Sequence, residues 1–277
     1  MIESPFTRAP AVAGSFYPRN PIELDATVRT MLAEATPQAH RDLADVEALI
    51  VPHAGYVYSG PVAASAYAGL CARAGEIRKV VLLGPAHRVY LEGLALPADR
   101  RFATPLGTIE VDQELVARLA ELPYVVRSGE AHAHEHSLEV QLPFLQRVLR
   151  DFSILPLVVG DATPAQVATV LERLWGGPET LVVISSDLSH YHGYDEARRL
   201  DRDTAMRIVT GPGPGLDPQR ACGARCIDGL LEFGRRHPMH IELLDLRSSG
   251  DTAGPRDRVV GYGAFAVHGD APRGPRP

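Results

Sequence analysis

Cysteine is scarce in this sequence of 277 residues, which has only Cys71, Cys222 and Cys226. An odd number of cysteines without regular spacing excludes a disulfide framework of the kind found in small secreted proteins. We therefore expect a reducing compartment, with the cytoplasm as the default location.

An excess of positive charge is also missing, since 28 Lys+Arg residues face 34 Asp+Glu residues and the formal net charge is −6. Such a chain has no cationic field to draw it onto nucleic acid or onto anionic lipid. Its longest apolar runs, such as 80–83, are far shorter than the roughly 20 residues of a membrane helix. The first residues lack the pattern of a secretory signal. We expect neither nucleic acid nor membrane as a partner.

Short apolar runs alternate with longer amphipathic stretches along the chain. The predicted strands are 47–51, 79–83, 154–159, 180–185, 241–246 and 259–267. The predicted helices are 21–35, 60–73, 112–120, 137–149, 164–174, 194–209 and 223–235. Several strands are continuous Val/Ile/Leu runs, which are typical of parallel strands covered on both faces.

This alternation predicts an α/β fold with three layers, in which helices cover both faces of a mainly parallel central sheet. The last two strands are joined by a loop rich in Gly, Ser and Pro, so an antiparallel edge fits there. No linker divides the chain, and we expect one domain over 1–277 with a frayed Pro/Gly/Arg-rich tail at 269–277.

A histidine follows three of the predicted strands, in the loop directly after each strand. These histidines are His53, His87 and His190. Because ligands of open parallel sheets bind outside the carboxyl ends of the strands, we expect the three loops to converge. Three imidazoles at one edge form a metal site or an acid–base site. No Walker A loop, dinucleotide fingerprint, nucleophile elbow or zinc-protease motif offers another function.

The cysteines and the remaining histidines are less informative. Cys222 lies at a predicted helix start, where the dipole favours the thiolate that binds metal. Cys71 and Cys226 are expected to face the core. The segment 132–136 has three histidines, of which His132 and His134 are expected to face solvent.

Six blocks of sequence resemble one known family. They are PAVAGSFYP at 10–18, PHAGYVYSG at 52–60, GPAH at 84–87, EHSLEVQLPFL at 135–145, SSDLSHY at 185–191 and CGA at 222–224. In this order they look like the Memo family, whose bacterial and archaeal members are often called AmmeMemoRadiSam system protein B. The resemblance runs from about residue 8 to residue 268.

The resemblance implies a fold similar to that of class III extradiol dioxygenases, which hold Fe(II) with two histidines and a carboxylate. It implies that His53 and His87 are the histidine ligands, and that Cys222 stands where the dioxygenases have a glutamate. His190 resembles their acid–base histidine, with a fourth ligand or a structural hydrogen-bond donor as its alternatives. A thiolate favours iron, copper or zinc, with iron expected first, and ring cleavage is not expected to carry over.

Other residues are expected to lie near the metal. Phe16, Tyr56, Glu135 and His136 are expected to bind substrate, Glu135 and His136 because they lie nearest the helix that follows the histidine-rich segment. Asp187 is expected to assist catalysis by accepting a hydrogen bond from an imidazole, although a cap or turn role fits it equally well.

Two functions remain in competition. The first is a metal-dependent redox enzyme that acts on a small organic or peptide substrate. The second is a regulatory or adaptor protein that binds iron, copper or a partner peptide in a degenerate dioxygenase pocket, as the description of eukaryotic relatives as signalling adaptors implies. The bacterial family name implies association with a radical SAM protein and an AMMECR-type protein. An enzyme needs an open coordination position and an acid–base group, and His190 favours the first function.

Overall fold

The fold is known from a computed structural model that describes residues 6–35, 43 and 45–269. Its strands are β1 (Thr7–Arg8), β2 (Val46–Val51), β3 (Lys79–Pro85), β4 (Leu94–Leu96), β5 (Arg101–Thr104), β6 (Gly107–Glu110), β7 (Val125–Arg127), β8 (Ser153–Val159), β9 (Thr180–Ser185), β10 (His190–His192), β11 (Met239–Ser248) and β12 (Val259–Gly269). Its α-helices are α1 (Pro21–Ala35), α2 (Tyr56–Tyr67), α3 (Gln113–Leu119), α4 (Gly129–Ala133), α5 (Leu142–Val148), α6 (Pro164–Leu174), α7 (Tyr194–Thr210), α8 (Ala224–Gly234) and α9 (Ser249–Thr252). Short 3-10 helices span Ala68–Arg73 and Glu139–Gln141.

A nine-stranded sheet forms the centre of the fold, with the strand order β10-β12-β2-β9-β3-β8-β4-β7 and with β11 paired to β12. The four strands β2, β9, β3 and β8 are parallel, as predicted. The strands that flank them, β12 and β4, are antiparallel to their inner neighbours. A separate small sheet has the order β1-β5-β6.

Helices cover both faces of the central sheet, which gives the predicted three layers. Helices α1, α2 and α5 pack together, and α2 contacts β2, β11 and β12. Helices α3, α6 and α8 form a second group, in which α8 contacts β3 and β9. Every residue of β9 is buried, as is all of β3 and β8 after the first residue, because neither face of these strands meets water.

Several predicted boundaries differ from the structure. The helix predicted at 137–149 is a 3-10 turn followed by the short helix α5, since the residues before it form the wall of the site described below. The helix predicted at 60–73 begins earlier and ends as a 3-10 helix, whose Cys71 is exposed rather than in the core. Cys226 is buried as expected.

Strand β12 extends to Gly269, the first residue of the predicted tail, and the rest of that tail lies outside the described residues. The buried apolar side chains form one continuous cluster that includes residues of both helix groups. Among the described residues, no helix has the length and apolar character needed to span a membrane.

Candidate metal centre

The carboxyl ends of three adjacent parallel strands carry the histidines that the sequence singles out. His53 follows β2 and His87 follows β3, and β9 lies between these strands and leads into the loop that ends at His190. The ring centroids of His53 and His87 are 5.2 Å apart. His190 starts β10, which pairs with β12 beside β2. The order β2-β9-β3 therefore brings the three loops to one edge of the sheet.

His53 is the most enclosed of these side chains, with 2% of its surface exposed. Its Nδ1 lies 2.8 Å from Ser185 Oγ, and its Nε2 lies 3.2 Å from Cys222 Sγ. Burial, followed by the charges of His87 and His136, lowers the pKa of His53 well below its ordinary value. His53 is therefore a neutral imidazole at neutral pH, which is the form that binds metal.

Glu135 holds His87 in place. The carboxylate accepts the backbone N–H of His87 at 2.6 Å and lies 2.9 Å from its Nδ1. It also accepts the backbone N–H groups of His136 and Ser137, both at 2.9 Å. Burial would raise the pKa of Glu135, but the bonds from His87 and Ser137 outweigh it and lower this pKa to about 2. Glu135 is an ionised carboxylate that orients an imidazole, and both of its oxygens already accept hydrogen bonds from the protein.

His136 completes a group of three imidazoles. One ligand atom from each of His53, His87 and His136 lies within 4.8 Å of the others, so the group could hold a metal ion. His136 stacks on His87 with centroids 4.7 Å apart, and Phe16 covers it at the same distance. Its buried Nδ1 lies 3.4 Å from Glu135 Oε1, and no hydrogen bond to it is found among the described residues. Burial lowers the pKa of His136 to about 4, although the negative charge of Glu135 opposes this shift.

Cys222 lies just before α8 and faces the same pocket. Its Sγ accepts the backbone N–H of Asp187 at 3.2 Å, in addition to its contact with His53 Nε2. Burial, with the charge of Asp187 second, raises the pKa of the thiol. The prediction that the helix start favours the thiolate was therefore wrong for the metal-free protein, because the loss of water outweighs the dipole.

Asp187 does not touch an imidazole. Its Oδ1 accepts the backbone N–H of His53 at 2.7 Å, so the carboxylate fixes the main chain of the loop after β2. Burial raises the pKa of Asp187 to about 7. The Nδ1 of the His53 ring contacts Ser185 Oγ instead, so the prediction that Asp187 accepts a hydrogen bond from an imidazole was wrong, and the alternative role in the turn fits.

The remaining predicted residues take varied positions. Tyr56 is 3% exposed and its hydroxyl donates to the carbonyl of Val140 at 2.7 Å, so it offers no group to a substrate. Phe16 is half-buried, its ring lies against His136, and its carbonyl accepts the backbone N–H of Tyr56 at 2.7 Å. His190 is half-buried, and this burial lowers its pKa. The charge of His87 lowers the pKa further, whereas a hydrogen bond to the Leu188 carbonyl opposes the shift.

The two histidines expected to face solvent differ from each other. His134 is exposed, as expected. His132 is 1% exposed, and its Nε2 lies 2.9 Å from the carbonyl of Ala95. That prediction was wrong for His132, because the segment 129–133 is a short helix that packs against β4.

A buried ion pair that sequence reasoning missed holds the wall of the site. Arg8 pairs with Glu139 at 2.7 Å and donates to the carbonyls of His132 and Glu135. Glu139 also accepts the hydroxyl of Tyr17 at 2.6 Å. The N-terminal segment thereby anchors the loop that carries Glu135 and His136. In the sequence, the one signal of this ion pair was Glu139, a carboxylate within the mostly apolar segment 138–145.

Fold and site together define a class of protein, an α/β protein with an imidazole cluster at the carboxyl edge of a parallel sheet. Residues 8–266 match the model of the family described as Memo-like protein. MEMO1 family proteins of Aquifex aeolicus and Methanosarcina barkeri are 42% and 36% identical to the chain. The first alignment covers 92% of this chain and 97% of the relative, and the second covers 94% and 99%. The chain belongs to the Memo family.

A solved structure has a related fold. It is the crystal structure of the uncharacterized protein JW3007 from Escherichia coli K12, with a TM-score of 0.51 over 81% of this chain and 100% of that chain. The two sequences are 16% identical, so this likeness supports the architecture alone. It agrees with the α/β architecture predicted from the sequence.

Proposed function

We propose that this chain binds one divalent transition metal through His53, His87 and Cys222 and uses it for redox chemistry on a small organic or peptide substrate. The observation that carries the proposal is the shared orientation of two imidazoles. In His53 and in His87, Nδ1 faces a partner held by the protein, Ser185 or Glu135. Each Nε2 is thereby left as the nitrogen available to a ligand.

Two further features of the pocket bear on metal binding. The buried Nδ1 of His136 lies 3.4 Å from Glu135 Oε1 and has no hydrogen bond among the described residues, and a bound ion or its water would supply a partner. Cys222 Sγ lies 3.2 Å from His53 Nε2, whereas tetrahedral bonds to zinc would place such atoms about 3.6 Å apart. Binding therefore requires the thiol to lose its proton and to move by a few tenths of an ångström.

The donor set decides which metals are favoured. Two imidazoles and a thiolate suit iron, copper and zinc better than magnesium or calcium. We propose iron first, because the dioxygenases that the fold resembles use Fe(II). His136 is a further nitrogen donor within reach, either as a fourth ligand or as a contact for the substrate.

A bound metal of this kind supplies Lewis acidity and, for iron or copper, one-electron chemistry. The protein supplies the proton acceptor. The low pKa of His190 leaves its imidazole neutral at neutral pH, so that it can accept a proton from a substrate hydroxyl. The Phe16 ring covers His136, with the two ring centroids 4.7 Å apart.

The proposal is tested by titrating metal-free protein with Fe(II) without oxygen and by measuring metal bound per chain. We expect one metal per chain in the wild type and loss of binding in His53→Ala and His87→Ala. His134→Ala is the matched control, because this exposed histidine lies two residues from His136. Binding that survives both ligand substitutions contradicts the proposal. A regulatory metal-binding protein would share these results and is separated by the His190 variant discussed below.

A further inference from the structure

The hydroxyl of Ser185, at the end of β9, has three partners in a fully buried position. Its oxygen lies 2.6 Å from the carbonyl of Ser137, 2.8 Å from Gln141 Nε2 and 2.8 Å from His53 Nδ1. Ser185 has no exposed surface, so no water competes for these positions. A serine hydroxyl has one proton to donate and two lone pairs, and three partners use all of them.

The direction of each hydrogen bond follows from the partners. A backbone carbonyl can only accept, so the hydroxyl proton of Ser185 goes to Ser137. Gln141 must present its NH₂ group, because the same nitrogen lies 2.9 Å from the carbonyl of Pro52. The other end of that amide accepts the hydroxyl of Tyr67 at 2.9 Å.

The third partner is then determined. With its proton used by Ser137, the Ser185 oxygen can only accept from His53, and the proton of the neutral imidazole must be on Nδ1. The lone pair of His53 Nε2 consequently faces Cys222 Sγ at 3.2 Å. The sulfur also accepts the N–H of Asp187, which holds it beside this lone pair.

We propose that Ser185 is a positioning residue that holds His53 in the Nδ1–H tautomer and so keeps Nε2 available as a metal ligand. The inference rests on the proposed function for its consequence, metal binding, but the tautomer itself is a property of the metal-free protein. Ser185 acts through His53 and does not touch the metal. The Ser185 hydroxyl also joins three loops of the site, those that contain His53, Ser137 and Ser185 itself.

The first test measures the tautomer directly. Long-range ¹H–¹⁵N correlation spectra of metal-free wild type at neutral pH distinguish Nδ1–H from Nε2–H, and the spectrum of His53→Gln identifies the signals of His53. We expect the Nδ1–H form in the wild type. Substantial Nε2–H population in Ser185→Ala supports the inference. A dominant Nε2–H form in the wild type overturns it, and this arm needs no variant of Ser185 to fold.

The second test measures the consequence with Zn²⁺ as the probe, in competition with a chelator. Ser185→Ala should weaken binding about 10- to 100-fold, as for other groups that orient a ligating histidine. Ser185→Thr, which keeps the hydroxyl, should retain most of the affinity. Ser189→Ala is the control, since this hydroxyl is also buried, soon after Ser185 in the chain, and its neighbour is Asp201 rather than His53.

The outcomes of the two tests separate the two proposals. A wild type that binds no Zn²⁺ contradicts the proposed function, while the spectra still decide the tautomer. A wild type that binds Zn²⁺ while Ser185→Ala binds it equally well, with an unchanged tautomer, overturns the role of Ser185. Equal weakening in Ser185→Ala and Ser189→Ala does the same, because it indicates a general packing effect.

Discussion

Replacing Glu135 by glutamine tests how the loop before α5 is held. The carboxylate is 2% exposed and accepts four N–H groups, two from His87 and one each from His136 and Ser137. In Glu135→Gln one oxygen becomes an NH₂ group, which can only donate and must face these donors. The substitution keeps the size of the side chain and removes the charge.

The structure sets the magnitude of the effect. The bonds from His87 and Ser137 outweigh the effect of burial and lower the pKa of Glu135 from an ordinary value of 4.5 to about 2. A difference of that size corresponds to about 3 kcal/mol of folding free energy. Because the folded state has the lower pKa, this stability is present above pH 4.5 and is lost as the pH falls towards 2.

The assay is denaturant unfolding of metal-free protein between pH 7 and pH 3. We expect Glu135→Gln to be about 3 kcal/mol less stable than the wild type at pH 7, and the gap to narrow steadily below pH 4.5. The exposed Glu130, five residues earlier, provides the control Glu130→Gln, which should change little. A gap that is constant with pH, or equal to that of the control, would refute the assignment of Glu135 as the buried acceptor.

Three further predictions concern other parts of the site. If the protein is an enzyme, His190→Ala should leave metal affinity nearly intact and lower turnover by roughly 10²–10⁴. If it is a regulatory protein, the variant should keep both its metal content and its partner binding, and loss of metal would identify His190 as a ligand instead. Arg8→Met leaves the buried carboxylate of Glu139 without its ion pair, so denaturant unfolding should show a free energy of unfolding about 3–5 kcal/mol lower than that of the wild type. A decrease below about 1 kcal/mol would contradict the role of this ion pair in anchoring the loop. Tyr191 is an exposed residue with φ 65°, so Tyr191→Asn should raise the thermal midpoint by relieving about 1 kcal/mol of backbone strain. A lowered midpoint would show that the contacts of the tyrosine ring stabilise the fold by more than the strain destabilises it.

Much of the sheet was predictable because parallel strands are buried on both faces. The predicted strand 180–185 has the observed bounds of β9, and His53 and His87 follow their strands as the pattern indicated. The convergence of their loops followed from a general property of parallel sheets. The short strands β4 and β7 were missed, since three residues carry too little periodicity to be recognised.

The partners of the site residues were not predictable, because they depend on contacts between distant parts of the chain. Ser185 is 132 positions from His53, and as the last residue of a strand its sequence context does not indicate which way the hydroxyl points. Asp187 was singled out because it lies three residues before His190, but its carboxylate accepts the backbone N–H of His53. The thiol of Cys222 was assigned a low pKa from its helix position, and only the structure shows how fully it is buried.

The central claim is the donor set of the metal, and X-ray absorption spectroscopy of the Fe(II)-loaded protein tests it most directly. The account predicts one sulfur scatterer at about 2.3 Å together with imidazole nitrogens at about 2.0–2.2 Å, distances taken from zinc sites of the same donors. The sulfur signal should vanish in Cys222→Ser while the imidazole signals persist. A wild-type spectrum with nitrogen and oxygen donors but no sulfur would contradict the claim, and would assign the third position to His136.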